Sequence, residues 1–179
     1  VTTSQVVALS STQVGQLTTA QIQALSSSQI QAIETGDVKG LTTAQVVALT
    51  STQVGQLTTT QFSLLSSAQI RAIETADIAG VSTSQVAAIT SGQIGGLTAA
   101  QITAMSSGQI GQLSTTAVAQ LSSAQLRAIE TADVAGLTTS QVVALTSAQV
   151  GQLTTAQLQA LSSSQLQAIE AGDVKGLTT

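Results

Sequence analysis

All eight acidic residues of this 179-residue chain fall in four pairs three residues apart: Glu34 with Asp37, Glu74 with Asp77, Glu130 with Asp133, and Glu170 with Asp173. At that spacing on a helix start, both carboxylates of a pair face the same exposed backbone N–H groups. Two kinds of chemistry suit such a pair. Oxygen-rich clusters are what Ca²⁺ prefers, so the eight residues are the candidate metal ligands of the sequence. Negative charge at a helix N-terminus is also stabilising by about 0.3–1 kcal/mol. Calcium takes about six or more oxygens, and one pair supplies too few without help from neighbours. The expectation is therefore that the pairs cap helices and aid solubility, and that the chain holds no resident metal or other cofactor.

Other chemistry has little to work with. There is no His, Cys, Tyr or Trp, so the commonest general base, the thiol nucleophile and the usual imidazole ligands are missing. The many serines have no His or distinctive Lys to activate them. No catalytic residue is assigned and the chain is expected not to be an enzyme. Four basic residues, Lys39, Arg71, Arg127 and Lys175, are far short of the electrostatic footprint of a nucleic-acid binder. Mean hydropathy is positive at +0.38, yet polar residues interrupt every apolar stretch long before the roughly 20 residues a membrane helix needs.

What positions the acidic pairs is an eight-residue phrase, L[ST][ST]xQ[VI]xx, repeated without a gap from Val1. In Leu41–Ala48, LTTAQVVA, the second and fifth positions form the S/T-x-x-Q capping box. The hydroxyl accepts from the N3 backbone N–H, and the Gln side chain reaches back to the N-cap N–H. Positions 1 and 6 are then N′ and N4, the pair joined by a hydrophobic staple. Numbered from Val1, position 1 is Val, Leu, Ile or Met in all 23 occurrences, and position 6 is Val, Ile, Leu or Phe in all 22 complete octads. Apolar spacing of five and three fits neither a continuous helix nor a continuous strand, so the chain must turn once per octad. Ten of the 14 glycines lie at position 7 or 8, where a helix C-terminus tolerates Gly best.

The fold expected is therefore all-α, a solenoid of short capped helices, one per octad. The alternative is a β-solenoid, which the Val, Ile and Thr content favours. Its turns would want Gly, Asn or Asp in a fixed column, and Asn is absent while Gly is scattered over positions 4, 7 and 8. Residues 1–179 read as a single array of 22 octads plus the start of a 23rd, expected to belong to a longer array. Phe62 and Met105 stand in apolar columns and read as core, whereas the four basic residues all occupy the variable position 7.

The acidic octads IETGDVKG, IETADIAG, IETADVAG and IEAGDVKG close blocks of five, five, seven and five octads. Within the long block, VSTSQVAAITSGQIGG (81–96) is followed by its near copy LTAAQITAMSSGQIGQ (97–112). An insertion of two octads that leaves the pattern intact suggests two octads per coil, and so about 11 coils in a rod of about 90–110 Å at about 8–10 Å per layer. A six-residue helix is marginal alone, so stacking of neighbouring repeats must supply the stability.

LTTAQVVAL at Leu41–Leu49 resembles the opening of a plant-pathogen TAL-effector repeat. The period of eight, the missing second helix and the sparse positive charge leave nothing to carry over. The chain as a whole is similar to the Ser/Thr/Gln/Ala-rich short-repeat regions of very large bacterial surface proteins and exoproteins, some labelled adhesins or haem-utilisation proteins. That resemblance implies an extracellular or cell-surface stalk and confers no site residues; with no His, Cys or Tyr, haem ligation is not expected. The reading is a spacer or display rod of a large secreted or surface protein. A ligand-binding module for ice, carbohydrate or calcium is the alternative, and end-to-end or lateral self-association stays open.

Overall fold

The computed structural model describes residues 1–169 and residue 173. Each of the first 21 octads contributes one short helix, 19 of them α-helices of four to six residues and two of them 3-10 helices, Val38–Gly40 and Thr75–Gly80. Among the described residues there is no strand, so the all-α solenoid is the fold and the β-solenoid is not. No helix among them is long and apolar enough to cross a membrane.

The local reason is the one the octad encodes. Position 2 is held extended, as at Thr42 (φ −74°, ψ 158°), and its side chain accepts from the N–H of Gln45, starting the helix Thr43–Val47. Position 1 of the next octad is extended too, as at Leu17 (φ −62°, ψ 139°), which ends one helix before the next cap. Among the described residues seventeen octads close the full reciprocal capping box.

Positions 1 and 6 line the inside. From Leu25 to Val150 every described residue in these two columns is buried, Phe62 and Met105 among them. The void left between Phe62, Ile70, Ile78, Val86 and their apolar neighbours is about 10 Å³. That is barely one water and has no polar wall, so the core is dry. Each buried Leu, Ile or Val contributes on the order of 1.5–3 kcal/mol before chain entropy is subtracted, and two per octad suffice only when coils stack.

The stacking corrects the two-octad coil. Helices pack on those three octads along the chain: Thr3–Val7 on Ser27–Ala32, Ser51–Gln56 on Thr75–Gly80, and Thr139–Val143 on Ser163–Ala168. Hydrogen bonds between coils join residues 25, 28, 30 or 31 apart, so a coil takes slightly more than three octads. The 16-residue insertion is harmless for a different reason. Each octad is by itself the repeating step, and any whole number of steps continues the same superhelix. About six coils, at about 8–10 Å each, give a body about 50–60 Å long, shorter than a two-octad coil implies.

The glycines also act differently from the expectation. Among the described residues none has a positive φ, so none of these is a left-handed helix cap. At position 8 they let backbones touch: a Cβ on Gly40, Gly80, Gly96 or Gly136 would lie 2.0–2.3 Å from a serine carbonyl oxygen three octads back.

Candidate functional site

The most heavily used side chain is the position-5 glutamine. Its Oε1 accepts from the backbone N–H of its own N-cap at 2.7–3.1 Å, as in Gln101 with Thr98 and Gln53 with Thr50. Its Nε2 does a second job. In Gln101 it donates to the carbonyls of Ile70 (3.0 Å) and Ile73 (2.7 Å), and in Gln45 to those of Val14 (2.8 Å) and Leu17 (2.7 Å).

The same pair of bonds, 31 and 28 residues back, recurs at thirteen glutamines from Gln45 to Gln165, all of them buried. One primary amide thus starts a helix with its oxygen and ties that helix to the coil before it with its nitrogen. No buried polar side-chain atom is left without a partner among the described residues.

Sequence reasoning assigned glutamine only the first role, although a signal for the second was present. A capping box accepts Glu as readily as Gln, yet position 5 is Gln in 17 octads and Glu in none. Glu could close the box; it would have no N–H to give and would place a charge inside the stack. The one octad with neither an amide nor a carboxylate at this position has Ala117. There the box is absent, with Ser114 still capping the Ala117 N–H.

The acidic octads are where the glutamine tie is broken, and the expected capping by carboxylates is not what the structure shows. Asp37, Glu74 and Glu130 are the N-cap residues of their helices, and none makes a side-chain capping bond. Glu is too long to fold onto N3 as Ser or Thr does, and Asp37 is helical (φ −92°, ψ −17°) rather than extended like the caps that work. Asp at position 5 is one methylene shorter than Gln, so it does not reach back to the N-cap N–H. Two of these octads relax to 3-10 helices.

Glu34, Glu74 and Glu130 are exposed, while Asp37, Asp77, Asp133 and Asp173 are half-buried; Glu170, like Lys175, lies outside the described residues. Burial holds the Asp77 carboxyl above its ordinary value, the Glu74 charge adds to this, and the Ser51 backbone N–H opposes both. Instead of a glutamine tie, this octad has direct contact: a Cβ on Gly80 would lie 2.2 Å from the Ser51 oxygen, and one on Gly55 would lie 2.4 Å from the Gly80 oxygen.

Nowhere among the described residues do three metal-capable side chains come together, so the calcium candidates remain separate pairs. The grooves between coils are open to solvent. One of them, about 610 Å³, runs past Met105, Ser106, Glu130 and Asp133.

The ALTTAQ repeat family matches residues 30–67, 70–107, 103–139, 118–155 and 126–163, most of the chain. The chain belongs to the ALTTAQ repeat family. Two of the matches in this ALTTAQ array are displaced by one octad, which agrees with the octad as its unit step. The six letters of the name run from position 8 of one octad to position 5 of the next. They cover the small residue, the staple Leu, the cap and the glutamine. No curated protein and no solved structure matches the array.

Proposed function

We propose that the ALTTAQ array is a non-catalytic spacer or display rod within a large secreted or cell-surface bacterial protein. The observation that carries this reading is that the octad's distinctive polar groups, the position-2 hydroxyl and the position-5 amide, are used up in building the stack. What remains outward is mostly small or polar and carries little charge, with scattered apolar side chains such as Val7, Val47 and Val143, which suits a surface that separates other parts rather than one that recognises them. The absence of His, Cys, Tyr and Trp supports the non-catalytic part. The compositional likeness to bacterial surface proteins supports the location.

A length series tests the spacer. Chains of 22 and 44 octads are compared by small-angle scattering; a spacer roughly doubles its long dimension at constant cross-section. A globule's radius of gyration would rise only about 1.3-fold on doubling its length, and that result would reject the rod.

One observation favours a second reading, an ordered-water or carbohydrate binder. Position 3 is Ser or Thr in every described octad but that of Ala99, and these side chains are not used for capping. Thermal hysteresis of a concentrated solution, or retention on a polysaccharide column, would support it; neither effect would set it aside.

A further inference from the structure

Position 7 of one octad meets position 8 of the octad three steps on, as Gln31 meets Gln56 and Arg127 meets Gln152. The glycines at these two positions are matched along the chain. Gly fills position 7 in five octads, at Gly15, Gly55, Gly95, Gly111 and Gly151. The five octads without Gln at position 5, those of Asp37, Asp77, Ala117, Asp133 and Asp173, each stand three octads later. Where the later octad also ends in Gly, the backbones touch: a Cβ on Gly15, Gly55 or Gly111 would lie 2.4–2.7 Å from the carbonyl oxygen of Gly40, Gly80 or Gly136. The Ala117 octad ends instead in Gln120, and a Cβ on Gly95 would meet nothing within 4 Å. The block of seven octads keeps the relation despite its extra length, with Gly111 three octads before Asp133. Just ahead of each glycine that serves an acidic octad, position 7 is β-branched. These residues, Val7, Val47, Thr103 and Val143, are the only β-branched ones in that column. All four are exposed, the valines by 44–46%.

We propose that these residues form a register lock, in which an acidic octad closes its coil on the glycine octad three steps back and on no other. The glutamine ties cannot make that choice, because every Gln octad offers the same amide and the same two carbonyls. A coil closed one octad late would set Gly40, Gly80 or Gly136 against Val7, Val47 or Thr103. There the Cβ carries two further heavy atoms and cannot turn aside from a carbonyl. One closed an octad early would set them against Gln23, Ser63 or Ala119, where the Cβ alone is too much. Loss of the amide at position 5 belongs to the same device, since an acidic octad has no tie that would hold it equally well in a wrong coil. The exposed valines thereby gain a role that core packing does not give them. Whole octads can be added between locks, as 81–96 stand between Gly80 and the octad of Gly111, and not inside one.

Two deletions of one octad each separate a lock from freely interchangeable octads. Removing residues 81–88 leaves every lock spacing intact. Removing residues 65–72 likewise takes away one capping box, one glutamine tie and two buried aliphatic residues, but it brings the Asp77 octad three steps after that of Val47 instead of that of Gly55. Helical circular dichroism and thermal melting are measured on the full chain and on both deletions. The chain lacking 81–88 is expected to melt close to the full chain, and the one lacking 65–72 roughly 5–10 °C lower. Val47→Gly then decides the cause. In the chain lacking 65–72 it makes room for the Gly80 backbone and raises the melting temperature, or restores the helical signal if that chain is unfolded. In the full chain it lowers the melting temperature, as Gly does at an exposed helical position. Equal melting of the two deletions, or a Val47→Gly substitution that fails to stabilise the chain lacking 65–72, would overturn the proposal.

Discussion

Gln101 and Gln5 hold the same position of their octads and close the same capping box, and differ in whether a coil lies behind them. That makes Glu a selective probe. At Gln101 it should cost at least about 2–3 kcal/mol, because two donors vanish and a carboxylate sits among buried carbonyls. At Gln5 it should cost nothing measurable. Parallel denaturant melts of the two variants check this, and equal effects would show that the amide nitrogen does not matter.

Asp77 offers a test through pH. A carboxyl whose pKa is raised in the folded state binds its proton more tightly there than when unfolded. It therefore favours the fold when protonated, and this contribution is present below the ordinary value of 3.8 and lost as pH rises through the higher folded value. Asp77→Asn should flatten the fall in melting temperature across that window and leave the variant slightly more stable at neutral pH. A pH profile that the substitution leaves unchanged would contradict the burial of this group.

At the scale of the element, most of what is seen could be read from the octad: the cap at position 2, the break at position 1, and the two core columns including Phe62 and Met105. These are local rules, satisfied within eight residues. Two features escaped because they involve residues about 25–31 apart. The acidic octads read as capped helices, yet two of them are 3-10 turns pressed against the helix three octads back. The glycines at their ends read as helix terminators and are backbone contacts instead. Gly80→Ala should therefore destabilise by more than about 1 kcal/mol, since its Cβ meets a carbonyl that cannot move aside. Gly36→Ala, with nothing within 4 Å, should be neutral or gain about 0.4–1 kcal/mol from the stiffer unfolded chain. Thermal melts of the two variants should move in opposite senses or by plainly different amounts; equal shifts would remove the close-packing account.

At the scale of the molecule, the sequence carries the existence of a solenoid but not its pitch. Pitch depends on how far a side chain reaches between coils, and only the fold shows glutamine setting that reach at 28 and 31 residues. The strict exclusion of Glu from position 5 was the visible trace of it. The central claim, that one amide both starts each helix and ties it to the coil behind, is tested most directly by hydrogen exchange of the glutamine side-chain NH₂ groups, resolved by NMR. The account predicts slow exchange for the thirteen buried glutamines from Gln45 to Gln165, and exchange at solvent rates for Gln5, Gln13 and Gln21. Uniformly fast exchange along the whole column would contradict it.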